Sequence, residues 1–80
     1  MQAVLYVKEN CQECERAKML LESLGSDFLE YTLDKDFTRK EFVSEFGEEA
    51  QFPQLAFGTK HIGGLKEALQ FLNEKNMINV

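Results

Sequence analysis

The 80-residue chain has no long apolar run. Its first hydrophobic stretch, Ala3 to Val7, is five residues, against about 20 for a membrane-spanning helix and about 7 to 15 for the core of a secretory signal. A soluble, cytoplasmic protein with no membrane partner is expected. Positive charge is also scarce. Nine Lys and Arg stand against 14 Asp and Glu, a net charge of -5, and the one adjacent basic pair, Arg39-Lys40, runs straight into Glu41. Nucleic acid, whose phosphates need a basic patch, is not an expected partner. With two cysteines and a single histidine, His61, far from both, the chain falls short of the four ligands of an intrachain zinc site, and no metal is expected. No repeat, linker or low-complexity segment interrupts it, and 80 residues at 44% hydrophobic can build one small core but not two. Residues 1–80 are therefore read as a single domain, expected to be monomeric.

Both cysteines lie in one motif, Cys11-Gln12-Glu13-Cys14, directly after the first apolar run and at the mouth of a helical pattern. In a reducing compartment such a pair is more often catalytic, redox-sensing or metal-binding than a staple, and closing so short a loop removes little entropy from the unfolded chain. Amides at a helix start stabilise a thiolate, so a reactive dithiol is the first expectation. Cys11, at the mouth, would stay exposed and attack a substrate disulfide. Cys14, one turn in, would be less open and would resolve the mixed disulfide. Lys8 adds positive potential three residues upstream, while Glu9, Glu13 and Glu15 oppose it; a moderately activated thiol is expected.

Around the motif the hydrophobic periodicity predicts the elements. Ala3 to Val7 reads as a central strand buried on both faces. Ala17, Leu20, Leu21 and Leu24 form a helical stripe stopped by Gly25. Phe28, Leu29, Tyr31 and Leu33 suit a second strand, ended by Asp34, Lys35 and Asp36. Thr38 and Glu41 have capping-box spacing ahead of Phe42, Val43 and Phe46. Leu55 to Phe57 and His61-Ile62 read as a hairpin around a Gly58-Thr59-Lys60 turn, and Leu65, Ala68, Leu69 and Leu72 as the stripe of a last helix. Met77 to Val80 is expected to be a loosely held tail. Phe37, Phe42, Phe46, Phe57 and Phe71 are read as core, and His61 as a surface strand residue rather than a base.

Strand, Cys-x-x-Cys, helix, a lone proline before the third strand and Gly63-Gly64 before the last helix together resemble a glutaredoxin over nearly the whole chain. The residues that carry the resemblance are Lys8, Cys11, Cys14 with Arg16-Ala17-Lys18 behind them, Phe52-Pro53-Gln54 and His61-Ile62-Gly63-Gly64. The resemblance implies an α/β, thioredoxin-like fold, with a mixed four-stranded sheet flanked by three helices in the order β-α-β-α-β-β-α. It implies a dithiol enzyme that reduces protein disulfides or glutathione mixed disulfides and is itself reduced by glutathione as co-substrate, with no tightly bound cofactor. Ribonucleotide reductase is one partner it suggests. By position it assigns glutathione and substrate contacts to Lys8, Glu13, Gln51, Phe52, Pro53, Gly64, Leu65 and Lys66, with a cis peptide bond at Phe52-Pro53.

Several positions depart from the family pattern. Gln12 and Glu13 replace the usual Pro-Tyr, Gln51-Phe52 the usual Thr-Val, and Lys66 an acidic residue that meets the glutathione ammonium. They open an alternative, a glutaredoxin-like redoxin recharged by thioredoxin reductase and feeding ribonucleotide reductase. A third reading is a non-enzymatic binding module or an iron–sulfur carrier that holds its cluster through Cys11 and glutathione.

Overall fold

The computed structural model of the chain describes residues 3–25, 27–58 and 60–74. The tail from Met77 to Val80 and Thr59 of the expected turn lie outside them. The elements are β1 (Ala3–Val7), α1 (Gln12–Ser23), β2 (Phe28–Thr32), α2 (Arg39–Phe46), β3 (Gln54–Phe57), β4 (Lys60–Gly63) and α3 (Leu65–Glu74). They build a four-stranded sheet in the order β2-β1-β3-β4. β1 runs parallel to β2 and antiparallel to β3, which is antiparallel to β4. The mixed sheet with three helices is the architecture expected from the sequence, and no described helix is long and apolar enough to cross a membrane.

One face of the sheet carries the core. Ala3, Leu5 and Val7 of β1 and Leu55 and Phe57 of β3 pack with Cys14, Ala17 and Leu21 of α1 and Ala68 and Leu72 of α3. The opposite face is thinner. Val4 and Tyr6 are only half-buried there, which corrects the expectation of a strand buried on both faces. A continuous apolar run does not distinguish a sheet covered by two helices on each side from one whose second side has a single eight-residue helix.

That helix, α2, meets the second face through aromatic rings. Tyr6 lies 5.6 Å from Phe37 and 5.0 Å from Phe46 between ring centres, and Phe42 lies 5.0 Å from Phe46. The expected single phenylalanine core therefore divides. Phe57 is buried in the main core and stacks on Phe71, while Phe37, Phe42 and Phe46 form a separate cluster in which only Phe42 is buried. The second strand ends at Thr32; Leu33 forms an isolated bridge with Phe37. β2 is an edge strand, and Leu29 on it is 41% exposed.

The element ends follow local chemistry. Thr38 Oγ1 accepts the Glu41 amide at 3.1 Å and Glu41 Oε1 accepts the Thr38 amide at 2.9 Å, closing the capping box and satisfying two donors the helix leaves open. Gly25, at φ +69°, takes the left-handed conformation that ends α1 without a Cβ penalty.

Candidate active site

Asn10, at φ +56°, turns the chain out of β1, a conformation its short polar side chain tolerates. The next residue, Cys11, is the N-cap of α1. Its backbone is extended (φ -122°, ψ 106°), and its Sγ accepts the Cys14 amide at 3.2 Å. Cys11 is half-buried, whereas Cys14 is 3% exposed within the core. The two form a disulfide, with Cα atoms 5.2 Å apart. The more accessible sulfur is thus the one that the helix amides face, an arrangement that stabilises negative charge on it.

The surrounding charges act through water. Glu13 and Glu15 stand exposed in the first turn of α1. Glu9 pairs with Lys35 at 3.2 Å, both side chains about two-thirds exposed, so that pair is weak and screened. Lys8 is exposed and sets its Nζ 5.9 Å from the centre of the Phe52 ring.

The Phe52-Pro53 peptide is cis, as the resemblance implied, Pro53 is buried, and Phe52 packs with Cys11 against the main core. The segment is held from below by Gln54, a polar side chain only 6% exposed. Gln54 Nε2 donates to the Gln51 carbonyl at 2.7 Å, and its Oε1 lies 2.6 Å from His61 Nε2. An amide oxygen only accepts, so His61 Nε2 carries the proton in that bond. His61 is an exposed residue of β4, as the surface-strand reading expected.

At the start of α3, Glu67 folds back over the glycine pair. Its Oε1 accepts the Gly64 amide at 3.0 Å. A Cβ on Gly63 would come within 3.1 Å of the Glu67 side chain, and one on Gly64 within 3.3 Å of its Oε1. Gly63 also sits at φ +125°, a backbone conformation that favours glycine.

Glu13, the segment around Phe52-Pro53 and the start of α3 enclose one recess of about 370 Å³, and among the described residues that line it there is no cysteine. Of the residues the sequence assigned to binding, Glu13, Gln51, Phe52, Pro53, Gly64, Leu65 and Lys66 all line it. Lys8 does not; it lines a separate recess with Glu9, Leu33, Asp34 and Lys35 and touches the first through Phe52. Glu49, Gln54 and Glu67 also line the site, although sequence reasoning missed them. Gln54 stood in the Phe52-Pro53-Gln54 block without a binding role, and Glu67 carried a signal in standing three residues after Gly64, at capping-box spacing. With Glu13 and Glu49 beside Glu67 and against Lys66, the charged lining among the described residues is three carboxylates to one ammonium.

Residues 3–62 match the family model for glutaredoxin. The chain belongs to the glutaredoxin family. Glutaredoxin 3 of Escherichia coli (strain K12) is 37% identical to it over 60 residues, covering 75% of this chain and 72% of that protein. The fold is similar to that of reduced E. coli glutaredoxin, with a TM-score of 0.82 at 22% identity over 98% of this chain and 100% of that one. A buckwheat glutaredoxin–glutathione complex superposes with a TM-score of 0.78 at 24% identity, over 94% and 71% of the two chains. The glutaredoxin-like NrdH-redoxin of E. coli, described as having a thioredoxin-like activity profile, gives 0.68 at 22% identity over 86% and 90%. This glutaredoxin is accordingly a thiol–disulfide oxidoreductase with a redox-active Cys11–Cys14 pair.

Proposed function

We propose that this glutaredoxin is a cytoplasmic, monomeric enzyme of one domain, residues 1–80, that reduces protein disulfides or glutathione mixed disulfides with electrons from glutathione. The observation that carries the assignment of roles is the asymmetry of the pair. Cys11 is accessible and receives the Cys14 amide on its sulfur, whereas Cys14 is buried beneath it.

In the reduced enzyme the Cys11 thiolate attacks one sulfur of the substrate disulfide. A Cys11–substrate bond forms, the substrate S–S bond breaks, and the departing thiolate takes a proton from solvent. Cys14, losing its proton, then attacks Cys11 Sγ, releases the second substrate thiolate and leaves the Cys11–Cys14 disulfide. One glutathione thiolate reopens that bond by attack on Cys11. A second attacks the glutathione sulfur of the resulting mixed disulfide, so two electrons return to the enzyme as glutathione disulfide leaves.

The recess that runs from Glu13 past Phe52-Pro53 to Gly64 and Leu65 supports the choice of reductant, since its volume of about 370 Å³ suits a tripeptide and Glu13, between the two cysteines in sequence, lines it. Lys66 offers a cation to one of glutathione's carboxylates. One observation favours a second reading, in which thioredoxin reductase is the electron source: Glu67 already occupies the Gly64 amide, and Glu13 and Glu49 add like charge to the place an anionic tripeptide would enter.

A paired assay of NADPH oxidation separates the two. Turnover is expected with glutathione and glutathione reductase. Turnover with thioredoxin reductase and none with glutathione would overturn the proposal in favour of the second reading.

A further inference from the structure

The thin face of the sheet carries a second recess, of about 280 Å³, lined by Tyr6, Phe37, Phe42 and Phe46 with Glu41 and Glu45 at its rim. Its floor is aromatic and, among the described residues, its only charged groups are carboxylates. Glu41 is held in place by the Thr38 amide, and among the described residues neither carboxylate has a cationic partner. One side chain links this recess to the active site. Phe52, which lines the first recess and packs with Cys11 against the main core, stacks on Phe42 with ring centres 4.2 Å apart and on Phe37 at 6.1 Å.

We propose that this aromatic recess docks a lysine- or arginine-bearing segment that flanks the reacting disulfide of a target protein. Charge complementarity and the Phe52 link to the active site select this occupant. A long cationic side chain lays its aliphatic stem on aromatic rings, keeps its head at the wet edge, and finds both a ring face and a carboxylate there. A segment whose half-cystine meets Cys11 and whose backbone passes Phe52 next reaches Phe42, Phe37 and the two glutamates. A second copy of this chain fits the recess less well, because a protein of net charge -5 offers few cations to an acidic rim. The inference rests on thiol–disulfide exchange at Cys11 and Cys14 and is indifferent to which reductant recharges them.

The test uses reduced full-length protein in single turnover, so no reductant enters. Two peptide disulfides are compared, one with arginine and leucine beside the half-cystine and the other with glutamate in place of arginine. The basic peptide is expected to react about fivefold faster, and less so at high salt. Glu45→Gln should remove most of that preference while leaving the rate with a small uncharged disulfide unchanged. Glu22→Gln, on the last turn of α1, should leave the preference intact. Titration with the basic peptide carrying serine for cysteine should shift the amide resonances of Tyr6, Phe42 and Phe46. Equal rates for the two peptides, or equal losses in the Glu45 and Glu22 variants, would overturn the proposal. So would resonance shifts at the recess that depend on protein concentration alone, which would reassign it to a second copy. Failure of both peptides to react would instead count against the exchange reading beneath it.

Discussion

At Cys11 a sulfur occupies the position that a serine or aspartate oxygen takes at many helix starts. Because the Cys14 amide donates to it at 3.2 Å, the reduced form will hold a thiolate there more readily than a free cysteine does. The expected outcome is a thiol that titrates below the free value of about 8.5, read from the pH dependence of alkylation at Cys11. A midpoint at or above the free value would refute the activation. Glu13, exposed in the same turn, works against it through water, so Glu13→Gln should lower the midpoint. An unmoved midpoint in that variant would remove Glu13 from the electrostatics of the site. At this scale the reactive groups were legible in the sequence, because both cysteines fall in one Cys-x-x-Cys at the mouth of a helical pattern, with the lone proline and Gly63-Gly64 at the family's spacing. Gln54 was not. A glutamine at the start of a strand reads as surface, and only the packed structure brings its amide under Gln51 with His61 on its oxygen.

Among the elements, α2 carries the most consequence for its length. It has eight residues and is the helix whose rings cover the second face of the sheet, so its stability depends strongly on its capped start. Thr38→Ala removes the acceptor of the Glu41 amide and should cost about 1 kcal/mol in urea unfolding. A loss within error would mean that aromatic packing alone holds the helix. The box was readable from Thr38 and Glu41 at their spacing, and so was the order of strands and helices. What the pattern did not carry was how the phenylalanines divide. Phe37, Phe42 and Phe46 have the same apolarity as Phe57, but they serve a face with one short helix above it, and apolarity says nothing of how many layers will cover a side chain.

For the molecule as a whole, the second face makes stability depend on alkaline pH. Burial raises the Tyr6 phenol above its ordinary pKa of 10.0, and the nearby Glu45 charge and Tyr31 add to the rise. A phenol with a raised folded pKa keeps its proton more tightly in the folded chain. That contribution is whole below about pH 10 and is lost as pH climbs from the unfolded value towards the raised one. Urea unfolding near pH 9 and near pH 11 should therefore show a fall in stability that is smaller in Tyr6→Phe, and equal falls in both proteins would contradict the account. The overall architecture was legible because each strand and helix follows its own periodicity. The charge of the site was less so, since Glu49 and Glu67 enter it from segments far from the cysteines in sequence.

The fold of Glu67 over the glycine pair also bears on how this chain can change by mutation. A methyl group on Gly64 would meet the Glu67 carboxylate oxygen at 3.3 Å and the Pro53 carbonyl at 3.5 Å, so whether alanine is tolerated at 64 depends on what stands at 67. The two positions are epistatic: shortening residue 67 first opens a path for a side chain at 64, whereas the reverse order must push the carboxylate aside. At Gly63 no such path exists, because its φ of +125° penalises any side chain whatever residue 67 becomes.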